Sequence, residues 1–271
     1  MGKPMSKSTP RVAIVGSRKC TPYGAMTAKL MARNLVDRGV CVVSGMARGI
    51  DAAAHRGALE GLADWQAEGP PTIAVLGCGV DVVYPAANRR LYHELVEEAL
   101  VMSEFDIGYP AMPQNFPARN RIIAGLSLGV VVVEAAPGSG AFHTVDFALE
   151  LGIEVMALPG NVFSGQSAGC HQLIKNGAAL VENVEDILEV VGEPVSEQED
   201  RSESVLTKDE LTLLDGLEGG AETLDELVSS LKIDVGAVLM TLTGLELAGR
   251  ACRLPGGRWS SGRSGQRKKR L

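Results

Sequence analysis

Three short segments, VGSRKCTPYG (Val15–Gly24), SGMARGIDAAAH (Ser44–His55) and PGSGAFHT (Pro137–Thr144), combine glycine, serine and basic or helix-capping residues in a pattern suited to holding phosphates. In the first, Gly16 permits a tight turn beside Ser17, Thr21 is placed to cap a following helix, and Pro22 suits its first turn. Free amides at such a helix start attract anions, and Arg18 and Lys19 add positive charge next to them. The second segment carries Arg48 and Gly49 in its loop with Asp51 as the expected cap; the third repeats the arrangement with Ser139 and Gly140. Arg119, Asn120 and Arg121 stand at a further helix start in NFPARNRIIAGLSLG (Asn115–Gly129), and Arg89 and Arg90 in PAANRR. Of the 13 Lys and Arg in residues 11–192, eight (Arg18, Lys19, Arg48, Arg56, Arg89, Arg90, Arg119 and Arg121) fall in or beside these loops, although the same span carries 19 acidic side chains. An acidic protein with a basic mouth is the expectation, since anion binding against the average charge needs cations gathered locally.

Other chemistries lack their residues. No G-x-x-x-x-G-K-[ST] or post-strand G-x-G-x-x-G occurs, which disfavours ATP hydrolysis and dinucleotide cofactors. The four histidines (His55, His93, His143, His171) have no metal-pair spacing, and the five cysteines form no C-x-x-C, so neither a metal centre nor a redox dithiol is expected. No G-x-S-x-G elbow is present, and Ser17 or Ser139 has no identifiable base, so catalysis has no positive support. The apolar runs are too short to span a bilayer and MGKPMSKSTP lacks a signal-peptide core, which predicts a cytoplasmic protein without a membrane segment.

The 271-residue chain, 45% hydrophobic with a net charge of -7, can bury a substantial core and invites a two-domain reading. Strands are expected at Val12–Val15, Val40–Val43, Thr72–Leu76, Gly129–Glu134, Glu154–Leu158 and Ala179–Val181, most of them apolar on both faces and alternating with helices. Doubly apolar strands imply a mainly parallel sheet covered on both sides, an α/β Rossmann-like doubly wound fold over residues 11–192. Residues 1–10 are expected to be disordered, residues 193–204 (EPVSEQEDRSES) to be an acidic linker, residues 205–258 a small C-terminal winged helix, and residues 259–271 a basic disordered tail. The winged helix's third helix offers Thr241, Thr243, Glu246 and a terminal Arg250 within a segment of 3 basic and 9 acidic residues. Such a face should repel duplex DNA and suits a protein contact. Aromatics are only 4% of the chain, so a base-stacking platform of many rings is not expected.

VGSRKCTPYG, SGMARGIDAAAHRGAL, TIAVLGCGVDVVYPAANRRL, SEFDIGYPAMPQNFPARNRIIAGLSLGVVVVEA, GSGAFHT and ALPGN together closely resemble the DNA-processing protein A (DprA, or Smf) family, from about Arg11 to Trp259. The resemblance implies a single-stranded DNA binding protein, without enzymatic turnover, that protects incoming DNA in natural transformation and loads RecA recombinase onto it, acting as a homodimer. By motif, Arg18, Arg48, Arg119 and Arg121 correspond to its DNA-contacting pocket, with Gly16, Ser17, Gly49, Asn120, Ser139 and Gly140 in the same turns. Phe142 stands where a ring could stack a base or pack on the sheet. Three features depart from the family pattern: only ten residues precede the Rossmann part where many members have a helical domain, Pro137–Gly138 stand where a lysine is common, and His171 replaces a usual asparagine near the implied dimer surface around Cys170–Val181. A second reading, a phosphoribohydrolase-like enzyme using the same mouth for a nucleotide, would require a P-G-G-x-G-T turn and a matching catalytic Glu.

Overall fold

The computed structural model describes residues 1–192, 212–214, 216–217, 222–231, 234–247, 251–254 and 257–261. The chain divides into two compact units, Met1–Ser196 and Glu197–Leu271. The expected acidic linker (193–204), much of the expected helix 206–217 and residues 262–271 of the basic tail lie outside the described residues.

In the first unit, strands β1 (Arg11–Val15), β2 (Cys41–Ser44), β3 (Thr72–Leu76), β4 (Leu100–Ser103), β5 (Gly129–Val132), β6 (Glu154–Ala157) and β7 (Ala179–Leu180) form one sheet in the order β4-β3-β2-β1-β5-β6-β7. Every pairing is parallel. Alternation along β1 divides the core between two faces. Val12 and Ile14 pack with Leu35 of helix α1 (Pro22–Asp37), Ala54 of α2 (Ile50–Glu60) and Ile187 of α7 (Val184–Val191). Ala13 and Val15 pack with Ile123 of α4 (Asn115–Gly125), Val145 of α5 (Phe142–Glu150) and Cys170 of α6 (Ala168–Lys175). Helix α3 (Arg89–Glu98) covers β3 and β4 through Leu91 and Leu95. The doubly wound arrangement expected from the sequence is therefore present. Strand order reverses at β1 and β5, so the crevice beyond their carboxyl ends is where this topology leaves room for a ligand.

In this unit two expectations fail. Strand β4 is not among the expected strands, because Leu100 follows α3 with only Ala99 between them and no glycine or proline marks a break. Residues 1–10 are ordered: Lys3 N–H donates to Ala99 O at 2.8 Å, Val101 N–H donates to Met1 O at 2.9 Å, and Gly2 bridges Leu100 antiparallel. This segment covers the sheet's edge through main-chain bonds, which a polar sequence does not advertise.

Buried His55 lies under the sheet with its Nδ1 2.8 Å from Thr72 Oγ1. Thr72 donates its hydroxyl proton to Val42 O at 2.6 Å, so it accepts from His55 Nδ1–H. Burial pushes the His55 pKa down to about 3. The unfolded chain therefore binds the proton first, and this group's stabilisation is complete above about pH 6.5 and is lost as pH falls toward 3. Wild-type stability should drop relative to His55→Gln by up to about 1.4 kcal/mol per pH unit in that window, read from urea midpoints at successive pH values. Parallel profiles would show that His55 is not held neutral.

The second unit contains a three-stranded antiparallel sheet, β8 (Glu222–Thr223), β10 (Arg258–Ser261) and β9 (Ala251–Leu254) in that spatial order, with helices at Leu224–Leu231 and Val235–Leu247. Its core joins Leu213, Leu227, Val238, Leu242 and Trp259. The winged-helix expectation holds. Residues 259–261, expected in the tail, belong to β10, because Trp259 pairs with Arg253 and is buried.

Candidate nucleic-acid interface

A cleft of about 630 Å³ opens at the β1/β5 switch point. Gly16, Ser17, Arg18, Arg119, Asn120, Ser139 and Gly140 line it, whereas Arg48, Gly49, Arg121 and Phe142 do not. The backbone is drawn tight at its floor. A Cβ on Gly16 would lie 2.7 Å from Glu134 O, and one on Gly49, which also has φ of 78°, would lie 2.2 Å from Ser17 O. Ser17 N–H donates to Glu134 O and Ser17 Oγ to Gln166 Oε1, which fixes the first turn between β5 and the segment before α6. Across the cleft, Gly138 and Gly140 have nothing within 4 Å of their would-be Cβ atoms, so a ligand's backbone can approach this turn closely.

The start of α1 is not the open anion site its sequence suggests. Buried Glu134 accepts from Thr21 N–H and Thr21 Oγ1, each at 2.7 Å, while Thr21 Oγ1 caps Gly24 N–H at 3.0 Å. An internal carboxylate thus occupies the place a phosphate would take. Asp51 is likewise not a cap. Gly49 holds that position, and the Asp51 carboxylate accepts from Ala47 N–H at 3.3 Å.

The four arginines have different roles. Arg18 and Arg48 are exposed, and with Lys19 they form no ion pair among the described residues. The Arg18 guanidinium lies 5.6 Å from the centroid of the Phe116 ring. Arg119 is only 4% exposed and donates through Nη1 to Gly45 O at 2.8 Å and to Val75 O. Burial lowers its pKa to about 10, a drop opposed by nearby Asp51, whose own pKa is raised by burial. Arg119 therefore ties together the ends of β2 and β3 rather than reaching outward. Arg121 points to the surface and pairs with Glu104.

Phe142 is half-buried against the apolar cluster, and a Cβ on Gly169 would lie 2.9 Å from its Cζ. Its ring is committed to packing on α6. Phe142→Ala should cost about 2–3 kcal/mol of stability, seen as a lower melting temperature. An unchanged melting temperature would contradict that placement. The rings on the cleft wall are Tyr84 and Phe116, stacked at 5.1 Å between centroids, and neither is among the residues expected at the site from sequence. Their only sequence signal is a ring next to proline in each case, YP and FP. Among the described residues no group of three or more His, Cys, Asp or Glu could hold a metal ion, and no helix is long and apolar enough to cross a membrane.

Residues 1–192 match the model of the DNA recombination-mediator protein A family, and residues 197–257 match that of the DprA winged helix domain. The chain belongs to the DNA recombination-mediator protein A family. Among its relatives, DNA processing protein DprA of Streptococcus pneumoniae is 46% identical over 179 residues, 66% of this chain and 61% of that protein. A putative DNA processing protein DprA of Mycobacterium tuberculosis is 40% identical over 269 residues, covering 96% of this chain and 67% of the relative. The chain thus spans roughly three-fifths to two-thirds of these DprA proteins. The solved S. pneumoniae DprA superposes with a TM-score of 0.61 at 45% identity, over 66% of this chain and 61% of the other. A structure of the Helicobacter pylori DprA, described for its single-stranded DNA binding mode, superposes with a TM-score of 0.60 at 29% identity, over 67% and 80%.

Proposed function

We propose that this chain binds single-stranded DNA at the β1/β5 cleft and acts without enzymatic turnover or cofactor. One observation carries the reading: Arg18 and Lys19, unpaired among the described residues, line with the open Gly138–Gly140 turn one crevice of an otherwise acidic unit, and Arg48, likewise exposed and unpaired among the described residues, stands in the loop after β2. Cations and accessible main-chain amides recognise a phosphate backbone without reading sequence. The phosphoribohydrolase-like alternative finds no free acid in Glu134, whose two oxygens are bonded to Thr21. A mobility-shift assay with single- and double-stranded DNA, run beside nucleoside-monophosphate hydrolysis, tests both readings. Salt-sensitive binding of single strands with no hydrolysis is expected. Hydrolysis, or binding indifferent to salt, would overturn the proposal.

Family membership supports the finer parts of the reading: a cytoplasmic protein that protects incoming DNA during transformation and hands it to RecA recombinase. The same membership supports a homodimer through Cys170–Val181, where Leu180 is exposed. Two linked sites would raise apparent affinity through effective concentration. Light scattering at micromolar protein should give twice the chain mass; a monomer would exclude the dimer.

A further inference from the structure

We propose that the loops following β3 and β4, together with the first turn of α4, form an aromatic rim on which the bases of the bound strand stack, while its phosphates face the cations of the β1 and β2 turns. This rests on the single-stranded DNA reading and adds a base-contacting side to it. Although rings are scarce, four of the chain's eleven Phe, Tyr and Trp gather here as two stacked pairs, Tyr84–Phe116 at 5.1 Å and Phe105–Tyr109 at 5.0 Å.

Both pairs hang on one glycine-flanked turn, Gly77–Gly79. A Cβ on Gly77 would lie 2.9 Å from Phe116 Cδ1, so that ring rests directly on the backbone at the end of β3. Gly79 N–H donates to Tyr109 O at 2.9 Å, and a Cβ there would lie 2.6 Å from Asp106 O, so the second pair is held against the same turn. Tyr84 and Tyr109 are 45% and 37% exposed, which leaves ring surface for a partner. Arg18 over Phe116 joins the rim to the cation cluster.

Charge sets the direction of the strand across the cleft. The rim carries Asp81, which accepts from Gly108 N–H at 2.7 Å, together with Asp106 and the Arg121-paired Glu104. Carboxylates beside the rings repel phosphates, whereas Arg18, Lys19 and Arg48 attract them. Phosphates on the cation side and neutral bases on the rings satisfy both halves. Rings accept any base by stacking, so this contact adds affinity without sequence preference.

The test compares an oligothymidylate with an abasic oligonucleotide of equal length and equal phosphate number. Wild type should bind the oligothymidylate about tenfold or more tightly, in line with stacking of at least one base. Tyr84→Leu and, separately, Tyr109→Ala should narrow that ratio by about threefold or more while leaving the salt dependence unchanged, and Tyr84→Phe should preserve the ratio. Equal, salt-sensitive wild-type affinities for both oligonucleotides would overturn the rim and leave phosphate binding standing. Failure to bind either would overturn the underlying reading and the rim with it. A wild-type ratio retained in both folded variants would also overturn the rim.

Discussion

Methionine in place of Arg119 should destabilise the first unit by about 3 kcal/mol or more, and the protein should unfold at a clearly lower urea concentration. Arg119 is buried and its guanidinium binds the carbonyls of Gly45 and Val75, with its Nε 3.3 Å from Asn120 Oδ1. Removing it strands two carbonyls at the ends of β2 and β3 where water has little access, each costing about 1–3 kcal/mol when left unmade. It also removes the positive charge that opposes the burial of Asp51. The site leaves no room for adjustment, since a Cβ on Gly45 would fall 2.6 Å from Arg119 Nη2 and 2.8 Å from Asp51 Oδ2. Lysine cannot replace the guanidinium's planar fork, so Arg119→Lys should recover only part of the loss. Arg121→Ala supplies the contrast: its pair with Glu104 is half-exposed, and stability should change by about 0.5 kcal/mol or less. An unchanged midpoint for Arg119→Met would return Arg119 to the side chains proposed to bind DNA.

The contrast between Arg119 and Arg121 shows where the sequence is legible and where it is not. Strands such as Ala13–Val15 and Val130–Val132 declare themselves, because continuous apolar runs rich in β-branched residues suit a sheet covered on both faces. Loops that follow those strands are where this topology leaves room for a ligand, and that rule alone singles out Arg18 and Arg48, which the structure finds exposed. Arg119 and Arg121, two residues apart on α4, point about 200° apart around the helix, so one must face inward when the other faces out. Nothing in FPARNR states which. The α1 start looks free in the sequence because its occupant, Glu134, is 113 residues away. Phe142 looks like a stacking ring because its loop is at the mouth, yet Gly169 makes room for it on the inner side. The Tyr84–Phe116 pair depends on the loop after β3 meeting the first turn of α4 at Gly77, a tertiary event with no local pattern.

Replacing both Arg18 and Arg48 by alanine should weaken single-stranded DNA binding by about 10- to 100-fold near 0.1 M salt and flatten its salt dependence. The slope of log affinity against log salt changes by about 0.7 for each phosphate no longer neutralised, so the double variant should be shallower by about 1.4. The effect is large because little else compensates. The chain carries a net charge of -7, and its long-range field opposes a polyanion, so affinity depends on the few cations close enough to outweigh it. Arg119 contributes its charge from within the fold, and Arg121 is neutralised by Glu104. Arg18→Lys separates the two parts of that residue's role: the charge, and hence the slope, should remain, while the flat guanidinium over Phe116 is gone. Both exposed side chains lie outside the buried core, so the double variant should keep its unfolding midpoint, which distinguishes weakened phosphate binding from a damaged fold. A folded double variant whose salt slope equals that of the wild type would place the DNA elsewhere on the molecule, because no counterion released at the cleft would then depend on either arginine.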